Sequence, residues 1–271
     1  MKKKALKIAA LCGAIALIVG VAWFANAMLG NPISKMLATN TAKKHLAASY
    51  AESDYAIDRV SYSFKDGNYY AYITSPSSMD GDFTLQIGMT GRLEHDTYSS
   101  RVAGHGNVAD RLYFAYRDLV DSVLKSAAYP YTVSIGYGDL EFDHETDAEP
   151  IEGAMKRSEL VNDKFYDVSE LGKKNGKLVL YIDHDTVSAE QAAEILLKTK
   201  RLMDEAGVSF YAVHFVLQYP PYDAESYARP EGNINLRDFL YSDIYEAGML
   251  ERVIAADHAT KAYYAAQDQN K

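Results

Sequence analysis

Apolar residues change their spacing several times along this chain, and each change predicts an element. Ile8 to Leu29 is a continuous apolar run in which only Asn26 is strongly polar. As a helix rising about 1.5 Å per residue it reaches about 33 Å, enough to cross a hydrocarbon core of about 30 Å. Lipid offers no partners to the backbone, so such a run must be helical there. Asn31-Pro32 ends it, and Ile33, Met36, Leu37 and Leu46 mark a thin stripe for a second helix to about Tyr50. The period then falls to two. Ile57 to Phe64 reads as a strand, Asp66-Gly67 as a tight turn and Asn68 to Thr74 as the return strand. In that strand Tyr70 and Tyr72 share one face, and Tyr69, Ala71 and Ile73 the other. Phe83 to Ile87 predicts a third strand, Thr90-Gly91 a turn and Arg92 to Tyr98 a fourth strand. Leu112, Tyr113, Tyr116, Leu119, Val120, Val123 and Leu124 predict an amphipathic helix over about 108–127.

Pro130 punctuates the chain, and Tyr131, Val133, Ile135 and Tyr137 alternate as in a strand. Lys177 to Asp183 (KLVLYID) reads as a buried strand. Ser188 and Gln191 have capping-box spacing for a helix from Ala189 to Ala206, and Gly207 is its stop. Val208 to Leu217 predicts the next strand, which makes a β-α-β unit. Pro220-Pro221 and a loop to Gly232 follow, then a short strand over Asn233 to Asp238. A last helix is expected over about 242–266, with Ile244, Tyr245, Met249, Leu250, Val253 and Ile254 facing inward. The expected class is α+β. A basic tail (1–7) and a transmembrane helix or signal peptide (8–29) precede two domains. These are a helix with an antiparallel meander (33–128) and a second α+β domain (129–271).

Charge gives the first segment a direction. Lys2, Lys3, Lys4 and Lys7 precede the apolar run and favour a cytoplasmic N-terminus. The expected location is the cell membrane, single-pass, with the following domains extracellular. Ala25-Asn26-Ala27 fits a signal-peptide cleavage pattern, so cleavage after Ala27 competes with retention of an anchor. Retention is favoured, because the apolar run is longer than the usual core of a signal peptide. Cys12, the single cysteine, follows Leu11 and lacks the pattern of a lipid-attachment site, so it reads as one more apolar helix residue. One cysteine excludes disulfides and thiolate zinc sites. Setting aside the four lysines leaves 24 basic against 37 acidic residues, a net charge of −13. That argues against nucleic acid or anionic surfaces as partners and suits solubility, or a basic or cationic partner.

The stretches Asn31-Pro-Ile-Ser-Lys-Met-Leu, Tyr62-Ser-Phe-Lys-Asp-Gly-Asn-Tyr-Tyr and Ser75-Pro-Ser-Ser resemble the YfjL-like family of membrane-anchored Gram-positive bacterial proteins. The resemblance runs through both domains. The N-terminal domain of that family is similar to PepSY modules, in which a helix packs on an antiparallel sheet. Those modules join a late strand pair through a Thr-Gly-Lys/Arg turn, and Thr90-Gly91-Arg92 occupies that place here. This chain departs in lacking an Asp before the turn and in its long loop over Ser75 to Gly81. The resemblance implies a non-catalytic role, with an exported protein or peptidase as partner, and carries over no binding residues.

Candidate chemistry is sparse. Asp183-His184-Asp185 closes a strand, and a carboxylate beside a histidine can orient it as a base. The plainer reading is a polar turn before Ser188. Tyr219, Tyr222 and Tyr227 flank the Pro-rich loop and could line a peptide or glycan groove. His214 reads as a hydrogen-bonded core or interface residue. Asp139, Glu141, Asp143, Glu145, Asp147 and Glu149 fall at every second position but lack the EF-hand frame, which favours a solvated acidic loop. No metal site and no cofactor are expected. The favoured function is an anchored binding or regulatory module rather than an enzyme. An exported hydrolase, metal-dependent or not, and a structural envelope protein are the alternatives.

Overall fold

The computed structural model describes residues 2–142, 153–223 and 228–268. It divides into two compact units, Met1–Asn107 with Val161–Asp163, and Val108–Leu160 with Lys164–Lys271.

The first unit begins with helix α1 (Lys2–Leu29) and helix α2 (Pro32–Ser49). Among the described residues there is one stretch of helix long and apolar enough to cross a membrane, and it lies at this N-terminal end. The break between α1 and α2 follows from local chemistry. Gly30 has φ +71°, a conformation glycine adopts without strain. Asn31 caps α2, its side chain accepting from Ser34 N at 2.8 Å, and Pro32 takes the first helical position. Strands β1 (Ala56–Ser63), β2 (Asn68–Thr74), β3 (Phe83–Ile87) and β4 (Leu93–Asp96) form an antiparallel sheet in sequence order. Alternation sorts β2 as expected: Tyr69, Ala71 and Ile73 are buried, Tyr70 and Tyr72 half-buried. Ala38 and Ala42 of α2 join Val60, Phe83, Leu85, Ile87 and Val102 in one apolar core.

Two side-chain arrangements complete this unit. Gly91, at φ +82° in the turn before β4, accepts a 2.6 Å hydrogen bond from the Thr41 hydroxyl of α2. The Ser75–Gly81 loop wraps Asp163. Its carboxylate accepts from Ser78 Oγ (2.9 Å) and from the backbone N–H groups of Met79 (2.8 Å) and Asp80 (3.2 Å). The Asp163 N–H donates to the buried Asp80 carboxylate at 2.7 Å. The loop is long because it builds this socket.

The second unit opens with helix α3 (Gly106–Leu124), most of which lies in it. A sheet follows in the order β5 (Thr132–Leu140), β6 (Gly176–Asp183), β7 (Ala212–Gln218) and β8 (Asn233–Leu240). The β6–β7 pair is parallel and the flanking pairs antiparallel. Helix α4 (Val168–Asn175) precedes β6, α5 (Ala189–Glu205) crosses between β6 and β7, and α6 (Met249–Asp268) ends the described chain. The β-α-β unit is thus present. Ser188 caps α5 by accepting from Gln191 N at 3.2 Å, and Gly207 follows at φ +70°.

One face of the sheet presents Leu178, Leu180, Ile182, Val213, Phe215 and Leu217 to Ala192, Ile195 and Leu196 of α5 and to Leu112, Tyr116 and Val120 of α3. Helix α3, expected with the meander, packs in this core. Gly138 makes room for it: a Cβ there would lie 2.6 Å from Val120 and 2.9 Å from the Tyr116 ring. Strand β7 starts at Ala212, later than expected. Val208 and Phe210 are buried ahead of it, with Phe210 packed edge-on against Tyr241. Helix α6 starts at Met249 rather than near 242. The Arg252 guanidinium donates to the carbonyls of Asp243 (2.8 Å) and Ala247 (2.7 Å), which holds that segment out of the helix. The inward set changes accordingly. Met249 and Val253 are buried, as is Ile244 ahead of the helix, but Tyr245 and Ile254 are exposed. Helix α6 also closes the β8 edge. Asp257 accepts from Asn235 N (2.9 Å) and Thr260 from Arg237 N (3.1 Å), so two edge donors are satisfied without a fifth strand.

Candidate functional site

Of the residues singled out in the sequence, Asp183, His184, Asp185, Tyr219 and Tyr222 stand at or follow the adjacent ends of β6 and β7 in the second sheet. Asp183 ends β6 and is engaged by one arginine and one glutamine rather than by histidine. Its Oδ1 accepts from Arg229 Nη1 at 2.7 Å and from Gln218 Nε2 at 2.9 Å. Arg229 also donates to Tyr219 O at 2.7 Å. The His184 Nδ1 lies 3.0 Å from the Thr186 N–H, which donates to it, so this ring nitrogen is used in a local turn. Asp185 is exposed. The structure therefore brings Asp183 to Arg229 and leaves His184 in its own loop. Tyr219 is half-buried and Tyr222 exposed, with the Tyr222 N–H donating to Ala228 O at 3.0 Å. Tyr227 lies outside the described residues, as do Asp143, Glu145, Asp147 and Glu149.

The chemistry concentrates elsewhere, on the sheet face turned away from the core. There β6 presents Lys177, Val179, Tyr181 and Asp183, alternating with the buried Leu178, Leu180 and Ile182. The register places Val179 beside His214 and Asp139 opposite Lys177. Tyr181 Oη is 3.4 Å from His214 Nε2, with the rings 5.8 Å apart. Strand β8 contributes through a bulge. Val213 pairs with Phe239 and Phe215 with Leu236, so Arg237 and Asp238 together stand opposite His214. Asp238 takes φ +51°, a left-handed conformation that costs a non-glycine residue about 1–3 kcal/mol. A bulge re-aims side chains. Here the Asp238 carboxylate reaches Lys177 Nζ at 2.6 Å and Arg237 Nε at 3.2 Å, while the Arg237 guanidinium lies 4.0 Å from the centre of the Tyr263 ring.

Charge is unevenly compensated. Lys177 also faces Glu141 at 4.0 Å and the neighbouring Asp139. Burial pushes the Asp139 carboxyl up, and Glu141 pushes it further against the pull of Lys177. Burial opposes the Lys177 charge, but the hydrogen bond to Asp238 and the other carboxylates outweigh it and raise the amine. Burial lowers His214, against the attraction of Asp238, which favours a neutral imidazole. The Lys177–Asp238 pair is 28% and 42% exposed, and such pairs add only about 0–1 kcal/mol. That is no more than the cost of the strained Asp238 backbone, so this pair by itself does not offset the strain. Reading the sequence missed this cluster apart from its acidic member Asp139 and an isolated His214. The one local signal was the adjacent charged pair Arg237-Asp238, which interrupts the polar–apolar alternation of Asn233 to Leu236. No group of His, Cys, Asp and Glu suited to a metal ion occurs among the described residues.

Two family models match the chain: the YfjL-like N-terminal domain over residues 2–99, and the YfjL-like C-terminal domain over residues 115–254. No curated protein and no solved structure matches it. The two models fall on the helix-and-meander unit and on the mixed-sheet unit in turn, and together they cover nearly all of the sequence, so this chain belongs to the YfjL-like family.

Proposed function

We propose that this protein is a single-pass membrane-anchored module with both units outside the cytoplasm, and that it binds an exported protein, such as a peptidase, without catalysing a reaction. The observation that carries the reading is the β8 bulge. It spends backbone strain to hold Asp238 beside Lys177 and His214 on a half-exposed face whose rigid strands also carry Tyr181 and Tyr137. Aromatic and charged groups fixed on strands suit recognition. The excess of acid over base outside the anchor favours a basic segment on the partner. Retention of α1 is supported by its last turn. Ala25 and Ala27 lie within the helix, and Ala27 O accepts a 2.8 Å hydrogen bond from Tyr62, so cleavage there would cut into a folded contact.

The test is photo-crosslinking in intact cells from a reactive residue replacing Tyr181 in the full chain. Capture of one exported protein, lost when Asp238→Asn is added, is the expected result. A capture pattern that Asp238→Asn does not change, or no capture at all, would leave a passive envelope protein as the better reading.

A further inference from the structure

We infer that the first unit rests on the membrane surface, seating exposed apolar side chains around the α1–α2 junction in the headgroup–acyl boundary. The inference rests on α1 spanning the bilayer and adds a second, peripheral contact to it.

The junction is locked to the sheet. Tyr62 Oη donates to Ala27 O at 2.8 Å. Tyr69 Oη donates to Asn31 O at 2.9 Å and accepts from Asn31 N at 2.7 Å. The two rings are 5.1 Å apart, and the Asn31 side chain donates back to Asn26 Oδ1 at 2.9 Å. Gly30 lies under both tyrosines: a Cβ there would stand 2.5 Å from Tyr69 Oη and 2.7 Å from Tyr62 Cγ. The helix end therefore cannot swing away from β1 and β2 without breaking these bonds.

That lock sets a height. Counting from Lys7 at the inner boundary, a hydrocarbon core of about 30 Å ends near Ala27 at about 1.5 Å per residue. Ile33 and Met36 lie six and nine residues past Ala27, about 9 and 14 Å if α2 continued along the membrane normal, so seating them requires α2 to tilt over the surface. Phe64 lies two residues beyond Tyr62, within about 7 Å along the strand direction. The headgroup layer is roughly 5–7 Å deep on each side. With α2 tilted in this way, Leu29 (78% exposed), Ile33 (68%), Met36 (57%) and Phe64 (58%) fall where apolar groups leave water most readily.

The exposed side of α2 supports this direction. Its large exposed apolar residues, Ile33, Met36 and Leu37, lie in the first two turns, and the exposed Asn40, Lys43 and Lys44 follow along the chain. A helix facing a protein groove would carry large apolar side chains along its exposed length; those of α2 are confined to the end next to α1. Lys35 and Lys65, both exposed, border the patch at the height of lipid phosphates.

The test uses the full chain with Cys12→Ser, reconstituted in vesicles of phosphatidylcholine and phosphatidylglycerol. Ile33→Cys, Met36→Cys, Phe64→Cys and, as the distant control, Glu52→Cys each receive an environment-sensitive dye. All four native side chains are exposed, so these variants should fold. Trp23, the single tryptophan, reports on the anchor. The expected result is quenching of Trp23 and of the dyes at Ile33, Met36 and Phe64 by a nitroxide at the headgroup end of the acyl chain. Those three dyes should also be several-fold less accessible to aqueous iodide than the dye at Glu52. Quenched Trp23 with all dyes as accessible as that at Glu52 would overturn the docking and leave the spanning helix intact. An unquenched Trp23 would overturn both.

Discussion

Replacing Tyr69 with Phe isolates one atom of the junction. The ring is 1% exposed and keeps its packing against Tyr62 and the apolar core, so only the hydroxyl is lost. That hydroxyl serves both backbone groups of Asn31, but the two losses are unequal. Asn31 O keeps a second partner, since Lys35 N donates to it at 3.0 Å as the first bond of α2. Asn31 N has only the 2.7 Å bond to Tyr69 among its described backbone and side-chain contacts. The variant thus removes two hydrogen bonds: loss of the one to Asn31 O costs about 1 kcal/mol, and loss of the other leaves Asn31 N as a half-buried donor that water only partly reaches. The sum is about 2 kcal/mol. Amide exchange by mass spectrometry on the full chain in detergent or lipid measures it locally. At about 1.4 kcal/mol per tenfold, exchange at the start of α2 and in β2 should quicken roughly thirtyfold, with the second sheet unchanged. Tyr62→Phe is the internal comparison. It removes a bond to Ala27 O, one of the terminal carbonyls of α1, and an acceptor tolerates the loss better than a donor. Its effect should be smaller, near tenfold. Equal exchange in Tyr69→Phe and the native chain, or acceleration spread over both units, would refute the claim that this hydroxyl locks the junction.

Leu180→Ala should cost about 2–5 kcal/mol, because Leu180 is fully buried between the second sheet and its helices; exchange would quicken in β5–β8 and spare β1–β4. Asp257→Ala orphans the Asn235 N–H on the β8 edge and should cost about 1–3 kcal/mol, read as a lower urea midpoint for unfolding of the second unit. For pH, burial holds His214 below its ordinary value of 6.5, among Asp238, Lys177 and Arg237. A lowered histidine binds its proton less well folded than unfolded, so stability is full above 6.5 and falls as the pH drops below it. His214→Gln should flatten the thermal-melting profile in that window. Asp139, raised, acts in the opposite sense at lower pH and would remain in the variant.

Periodicity and length decided much of the architecture before any contact was considered. The N-terminal apolar helix needs nothing but length and composition, because being long and apolar enough to cross lipid is a property of one segment. The meander was legible for the same reason: one buried face imposes a period of two, as in Tyr69, Ala71 and Ile73. Ser188 and Gly207 bound α5 through bonds within a few residues of each other. Elements whose pattern is set by distant partners were not legible. Helix α4 is short, and its buried Gly172 and Asn175 carry no apolar stripe. Val208 and Phe210 alternate like a strand but owe their burial to the core rather than to a ladder. The late start of α6 depends on Arg252 reaching back to two carbonyls. The candidate site is the extreme case. Lys177, His214 and Asp238 are separated by dozens of residues, and no local rule joins them. The parallel register of β6 on β7 and the two-for-one bulge of β8 do so, because cross-strand neighbours are fixed by pairing and not by sequence distance. The sequence alone determined that a helix long and apolar enough to cross a membrane precedes two α+β units; tertiary pairing decided which of their polar residues meet.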